Sequence, residues 1–215
     1  MNEKADQRVS RREARKAERC RAIVEVASRE FREHGYAGAT MSSIAAAVGG
    51  SKGTLWSHFP SKDDLFIAVV DHLASSYQEE FAILLKPAAD VEAALRRFCG
   101  EYVKKVAFPD NLSFYRMVIS DVVRFPEIGR IFHDHAIRRT RVKLEEFLRD
   151  AMERGQLRRD DPEQAARHLI GLCFYVTHQE ALLGLTEKLD AEKLARHADS
   201  AVSLFLRAYA AEDAA

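Results

Sequence analysis

Apolar residues recur three and four positions apart along most of the chain, and that spacing predicts helices rather than strands. The first firm helix runs from about Ala17 to His34, with Ile23, Val26, Ala27 and Phe31 as its stripe and Gly35 as its C-cap. Before it, residues 1 to about 16 read as a disordered or nascent-helical arm. If the helix extended back, Arg8, Arg12, Arg15 and Arg19 would share one face. Thr40 is a good N-cap for a short second helix, Met41 to Val48, whose apolar face is Ile44, Ala45 and Val48. Gly49-Gly50 breaks it. Ser51 then caps a third short helix that turns Leu55 and Phe59 inward, and Pro60 stops it. Ser61 with Asp64 forms a box-like cap on a long fourth helix, Lys62 to about Leu85.

Further along, Pro87 ends the fourth helix and Asp90 caps a fifth, about Val91 to Ala107. A sixth covers about Leu112 to Val123, and a seventh runs from Pro126 to Arg154 with Gly155 past its end. Asp161-Pro162-Glu163-Gln164 combines an acid cap with Pro at the first helical position, and starts an eighth that reaches about Gly184. Asp190 caps a ninth, Ala191 to about Ala210. No convincing period-two strand and no internal repeat interrupts this series, so the expected fold is all-α, with about nine helices.

Composition agrees. With 10 Gly and 5 Pro in 215 residues, there are too few turn residues for a sandwich or barrel of many short strands. Hydrophobic residues at 47% and charged ones at 31% describe a globular chain rather than a disordered one. The longest apolar run, Leu169 to Val176, is far short of the about 20 residues a membrane span needs. The N-terminus is polar, without the apolar core of a secretory signal. Three cysteines, Cys20, Cys99 and Cys173, are widely spaced and odd in number, which fits a reducing cytoplasm rather than a disulfide framework. The expectation is a cytoplasmic protein that does not enter a membrane.

Charge changes the picture in one place. The chain is neutral overall, yet residues 1–60 hold eleven basic and seven acidic side chains. A basic end on a neutral protein points to an anionic partner for that end. The same region contains two short helices joined by a glycine turn, which is the core of a helix-turn-helix. The outer face of the second helix is sized for a major groove about 12 Å wide. Lys52 supplies charge there, Gly53 allows close backbone approach, Trp56 faces outward, and Ser57 and His58 can donate hydrogen bonds. Lys62 starts the next helix, where free backbone N–H groups can hold a phosphate.

The run Gly35-Tyr36, Thr40-Met41-Ser42-Ser43-Ile44-Ala45, then Ser51-Lys52-Gly53-Thr54-Leu55-Trp56-Ser57-His58-Phe59-Pro60-Ser61-Lys62-Asp63-Asp64-Leu65 closely resembles the DNA-binding domain of TetR-family transcriptional repressors. The resemblance covers about residues 17 to 70. It implies a basic arm over 1–16, a helix-turn-helix domain over 17–78 and a ligand-binding and dimerisation domain over 79–215. It implies DNA contacts by Ser42, Ser43, Ser51, Lys52, Gly53, Thr54, Trp56, Ser57, His58 and Lys62, with Tyr36, Ile44, Leu55 and Phe59 in the core. Two positions depart from the family pattern. Trp56 stands where Tyr is usual, keeping a ring and one donor but losing the hydroxyl acceptor. Gly50 stands where an apolar residue is common, which loosens the turn.

The segments Val118 to Gly129 and Gly155 to Glu163 look like the C-terminal domain of AcrR- or AefR-like members, a domain that in the family binds a small molecule and pairs two subunits. The eighth predicted helix is apolar nearly all round from Leu169 to Val176. The ninth carries a broad stripe from Leu194 to Tyr209, so these two helices are the expected homodimer interface, four helices across two subunits. A small, largely apolar effector is expected among Phe98, Tyr102, Phe114, Met117, Phe147, Cys173 and Phe174, with Arg116, His178 and Gln179 beside Tyr102 as polar anchors.

His133-Asp134-His135 and Cys173 with His178 are badly spaced for one metal on a helix. No second Cys lies near any other in sequence, which disfavours a redox switch. A phosphate-binding glycine loop, a zinc-protease motif and a nucleophile elbow are all missing from the sequence, so no cofactor and no enzymatic activity are implied. The expected function is a dimeric repressor on a palindromic double-stranded DNA operator, released by an effector. The alternatives are a DNA-binding member with no inducer and, further off, a helical enzyme.

Overall fold

The computed structural model describes residues 3–49, 52–87, 89–174, 177–185 and 190–211, with the side chains of 3–12, 52, 76 and 177 excepted. Among the described residues the chain forms eleven α-helices and one π-helical turn: α1 Glu3–Gly38, α2 Met41–Val48, α3 Lys52–His58, α4 Lys62–Leu84, α5 Val91–Ala107, α6 Pro109–Asp121, α7 Pro126–Phe132, the π turn His133–Ile137, α8 Arg138–Glu153, α9 Pro162–Phe174, α10 Thr177–Leu182 and α11 Ala191–Tyr209. The fold is all-α, as expected. The arm is helical from Glu3, continuous with the first helix. The face proposed for Arg8 and Arg12 lies outside the described side chains. The seventh predicted helix is divided by the π turn at His133. The eighth is described as α9 up to Phe174 and as α10 from Thr177, with residues 175 and 176 outside the described residues.

The chain divides into two compact units. Residues 1–73 and 117–132 make the first, and residues 74–116 and 133–215 the second. The division falls inside α4, inside α6, and between α7 and the π turn.

In the first unit, Ile23, Ala27 and Phe31 of α1 are four apart and fully enclosed, the expected result of burying a 3.6-period stripe. Phe31 meets Phe66 of α4 edge-to-face at 5.3 Å and stacks on Tyr36 at 5.7 Å. α1 kinks at Gly35, whose φ of 72° is left-handed. α2 opens on a reciprocal cap, in which the Ser43 N–H donates to Thr40 Oγ1 and the Thr40 N–H to Ser43 Oγ, both at 3.0 Å. It closes on Gly49 (φ 71°), whose N–H reaches the carbonyls of Ala45 and Ala46. At the start of α4 the Asp64 N–H donates to Ser61 Oγ at 3.0 Å, and the Ser61 hydroxyl donates to Asp64 Oδ2 at 2.7 Å.

In the second unit, α11 packs on α5 and α9, and α8 packs on α9. Their shared core includes Leu95, Phe98, Leu144, Leu148, Leu169, Val202 and Phe205. Asp90, Asp161 and Asp190 accept first-turn N–H groups of α5, α9 and α11, as their sequence positions predicted. Gly155 (φ 71°) follows α8, and the Arg158 N–H then donates to the Tyr209 carbonyl at 3.0 Å, tying this loop to the end of α11.

Candidate functional site

α3 is seven residues long and offers two faces. Leu55 and Phe59, four apart, are buried, and the Phe59 N–H closes the last turn on the Leu55 carbonyl at 2.9 Å. With that side pinned, Gly53, Trp56 and Ser57 are exposed, and Thr54 is partly exposed. Trp56 keeps 49% of its surface in contact with solvent. A large apolar ring held outward on a short polar helix is the informative case, because most Trp surface is buried. Ser57 Oγ donates back to the Thr54 carbonyl at 2.8 Å, leaving its oxygen lone pairs outward. The expected position of His58 is modified: its Nδ1 lies 3.5 Å from the thiol of Cys20 on α1, and the ring is only partly exposed. Ser42 is exposed at the start of α2, while the hydroxyl of Ser43 is occupied by the Thr40 cap. Gly50, Ser51 and the Lys52 side chain lie outside the described residues.

Behind α3 sits a polar cluster that no local pattern announced. The Lys62 ammonium donates to the Tyr36 carbonyl and lies 4.1 Å over the Tyr36 ring. Burial lowers the Lys62 pKa, opposed by the charges of Asp121 and Asp63. The Tyr36 hydroxyl donates to the Asp63 carboxylate, and burial, helped by that carboxylate, raises the phenol. The Tyr36 N–H donates to Asp121 Oδ2 at 2.6 Å, with the Ala37 N–H at 3.4 Å. Phe125 meets the Tyr36 ring edge-to-face at 5.2 Å. Gly35 is required twice: its φ is left-handed, and a Cβ there would stand 3.0 Å from Asp121 Oδ2. An ammonium has three N–H donors, so Lys62 retains two after serving Tyr36.

The second unit holds a different constellation. His178 of α10 is 6% exposed, and neither ring nitrogen has a hydrogen-bond partner. Phe174 of α9 meets its ring edge-to-face at 4.3 Å, and Tyr115 of α6 lies at 5.5 Å. Tyr102 of α5 lies 5.8 Å from Phe174 and continues the ring series to Phe98 and Phe81. Burial lowers the His178 pKa to about 4 and pushes the Tyr102 phenol well up, so both are neutral near pH 7.

Of the residues read from sequence as a ligand site, Phe98, Tyr102, Cys173, Phe174 and His178 come together in this unit. Phe114 and Phe147 are buried in it. Arg116 instead caps the end of α10, donating to the Leu182 carbonyl at 2.9 Å and to that of Ala181. Gln179 is exposed, and Met117 is a buried residue of the first unit. Tyr77 and Phe81 of α4 and Tyr115 of α6 were not singled out, because only the packed fold sets them beside the rings of α5, α9 and α10.

Cys99 and Cys173 are far apart in sequence yet share the core of this unit, and the interaction with Cys173 together with burial raises the Cys99 thiol well above its usual value. Both are essentially without solvent access, the environment of inert thiols.

A short two-faced helix set across a capped partner in one unit, and an aromatic core with unpaired polar atoms in the other, define the class of helical DNA-binding regulators. The chain belongs to the tetR family of bacterial regulatory proteins: residues 23–69 match that family's N-terminal domain, and residues 93–211 match the AefR-like transcriptional repressor C-terminal domain. A TetR-family transcriptional regulator from Mesorhizobium loti superposes with a TM-score of 0.81 at 28% identity, covering 90% of this chain and 98% of that one. The flavonoid-responsive regulator FrrA gives 0.78 at 28% identity, with the same coverage. The repressor AcnR of Corynebacterium diphtheriae is 42% identical over 60 residues, which span 28% of this chain and only 32% of that repressor.

Proposed function

We propose that this chain is a ligand-responsive transcriptional repressor that binds a palindromic DNA operator as a homodimer and is released by a small, largely apolar effector. The observation that carries the reading is α3, a helix pinned by Leu55 and Phe59 that turns Gly53, Thr54, Trp56 and Ser57 toward solvent. Ser42 at the start of α2 and the two spare N–H groups of Lys62 add phosphate donors on neighbouring elements. Ser43, Ser51, Lys52 and His58 complete the proposed DNA-contacting set.

The effector belongs in the second unit, among Tyr102, Phe174 and His178. The name of the relative FrrA, a flavonoid-responsive regulator, supports a small-molecule signal. Release requires only that ligand bind more tightly to the geometry that does not fit DNA. Arg116 and Asp121 supply a route. They lie on one continuous helix, α6; one grips the α10 carbonyls in the second unit, the other the Tyr36 N–H in the first. Subunits would pair through α9 and α11, where Gly171 and Leu204 are solvent-facing in the single chain.

The test is to incubate the purified protein with sheared DNA from its source organism and sequence what is retained. A recurring palindrome, with half-sites about one helical turn apart, is expected. Recovery of arbitrary fragments that dissociate as salt rises would overturn the operator reading. An operator that no member of a small-molecule library releases would overturn the effector reading.

A further inference from the structure

A histidine in an ordinary core directs at least one ring nitrogen at a carbonyl, a hydroxyl or a carboxylate, because an unpaired buried polar atom is costly. Other histidines of the second unit have partners: Nδ1 of the exposed His168 is 2.6 Å from the Tyr209 hydroxyl, and Nε2 of the partly buried His197 is 3.0 Å from the Cys173 carbonyl. His178 does not. It is more deeply buried than either, and both of its nitrogens are without a partner. Aromatic rings lie beside it, Phe174 edge-to-face at 4.3 Å and Tyr115 at 5.5 Å between centroids, with Tyr102 one ring further on. Four helices, α5, α6, α9 and α10, bring these side chains together, so the arrangement is built by the fold and not by one flexible segment.

We propose that His178 is the hydrogen-bonding anchor for an uncharged aromatic ligand that carries a hydroxyl group and lies among Phe174, Tyr115 and Tyr102. The inference rests on the effector reading above and gives that effector a chemistry.

A neutral imidazole presents one donor and one acceptor. A hydroxyl is the smallest group that can answer either. An ionised acid could only accept, and it would enter a buried place without a cation: the one guanidinium on the facing helix, Arg116, is already spent on the carbonyls of Ala181 and Leu182. A protonated amine could only donate, and burial disfavours its charge just as it disfavours protonation of His178 itself. The surrounding rings favour a flat aromatic body, which can stack or meet them edge-on.

Three probes of one shape test this: β-naphthol, naphthalene and β-naphthoate, each measured by equilibrium dialysis against the full-length protein. β-Naphthol should bind about ten-fold more tightly than naphthalene, the effect of about one net hydrogen bond, and β-naphthoate should bind most weakly. His178→Phe should bring β-naphthol down to the level of naphthalene and leave naphthalene unchanged. In the unaltered protein, the imidazole nitrogen resonances of His178 should move with β-naphthol and stay put with naphthalene, a readout independent of how the variant folds. Equal affinity for β-naphthol and naphthalene, a preference that survives His178→Phe, or tightest binding of β-naphthoate would overturn the anchor while leaving the effector site standing. No binding by any of the three would remove the anchor and the aromatic site beneath it together.

Discussion

The two units handle buried polar groups in opposite ways. In the first, Lys62, Asp63 and Asp121 satisfy Tyr36 around the kink at Gly35, and the outer face of α3 with the remaining Lys62 donors is left for a partner. In the second, His178 sits among rings with nothing to bond. A site that reads a phosphate backbone can be finished before its partner arrives, because the partner docks on the outside. The small molecule proposed for the second unit would complete the polar atoms that His178 leaves unpaired.

The largest test of this contrast is Phe31→Ala. Phe31 has no solvent exposure and joins Phe66 and Tyr36, so its truncation should cost about 3–5 kcal/mol. Chemical denaturation followed by Trp56 emission should show the first unit melting early, and DNA binding should vanish. Gly35→Ala comes next. A side chain at this positive φ and extended ψ costs about 1–3 kcal/mol, and the new Cβ would press on Asp121 Oδ2, so the melting temperature should fall measurably with α3 itself untouched.

The second unit should respond to acid. Burial holds the His178 pKa at about 4 in the folded chain, against 6.5 when unfolded. As pH falls through about 6.5 the unfolded chain takes up a proton that the folded chain does not. Stability therefore declines until about pH 4 and then levels off. Thermal melts across that window should show the decline, and His178→Phe should flatten it. The smallest expected effect is that of Lys62→Met. It should weaken binding to all DNA sequences by a similar factor and reduce the slope of log affinity on log salt by about one. A loss confined to one sequence would remove Lys62 from the phosphate-contacting set.

Much of the first unit was legible in the chain. The stripe of Ile23, Ala27 and Phe31, the caps at Thr40 and Ser61, and the inward pair Leu55 and Phe59 are all local patterns, and each is realised. Asp121 was not legible, because its partner Tyr36 lies far away in the chain and nothing in the neighbourhood of Asp121 marks it as a cap. Nor does any signature send residues 117–132 back to the first unit. In the second unit, Tyr102, Phe174 and His178 could be singled out as aromatic or polarisable side chains on apolar helices. Which of them would be left unpaired is decided by packing, as the contrast of His178 with His168 and His197 makes plain. The same holds for Cys99 and Cys173, where sequence distance was a poor guide to contact.

Trp56 has a practical consequence. It is the one tryptophan in the chain, and about half of its surface faces solvent on the helix proposed to enter the groove. The protein thus carries a natural optical probe at the place of interest and nowhere else. Excited at the red edge, where tyrosine does not absorb, it should report on that helix alone: quenching when bases cover the indole, recovery when the proposed effector drives the DNA away. The whole regulatory cycle can then be followed by light in the unlabelled protein.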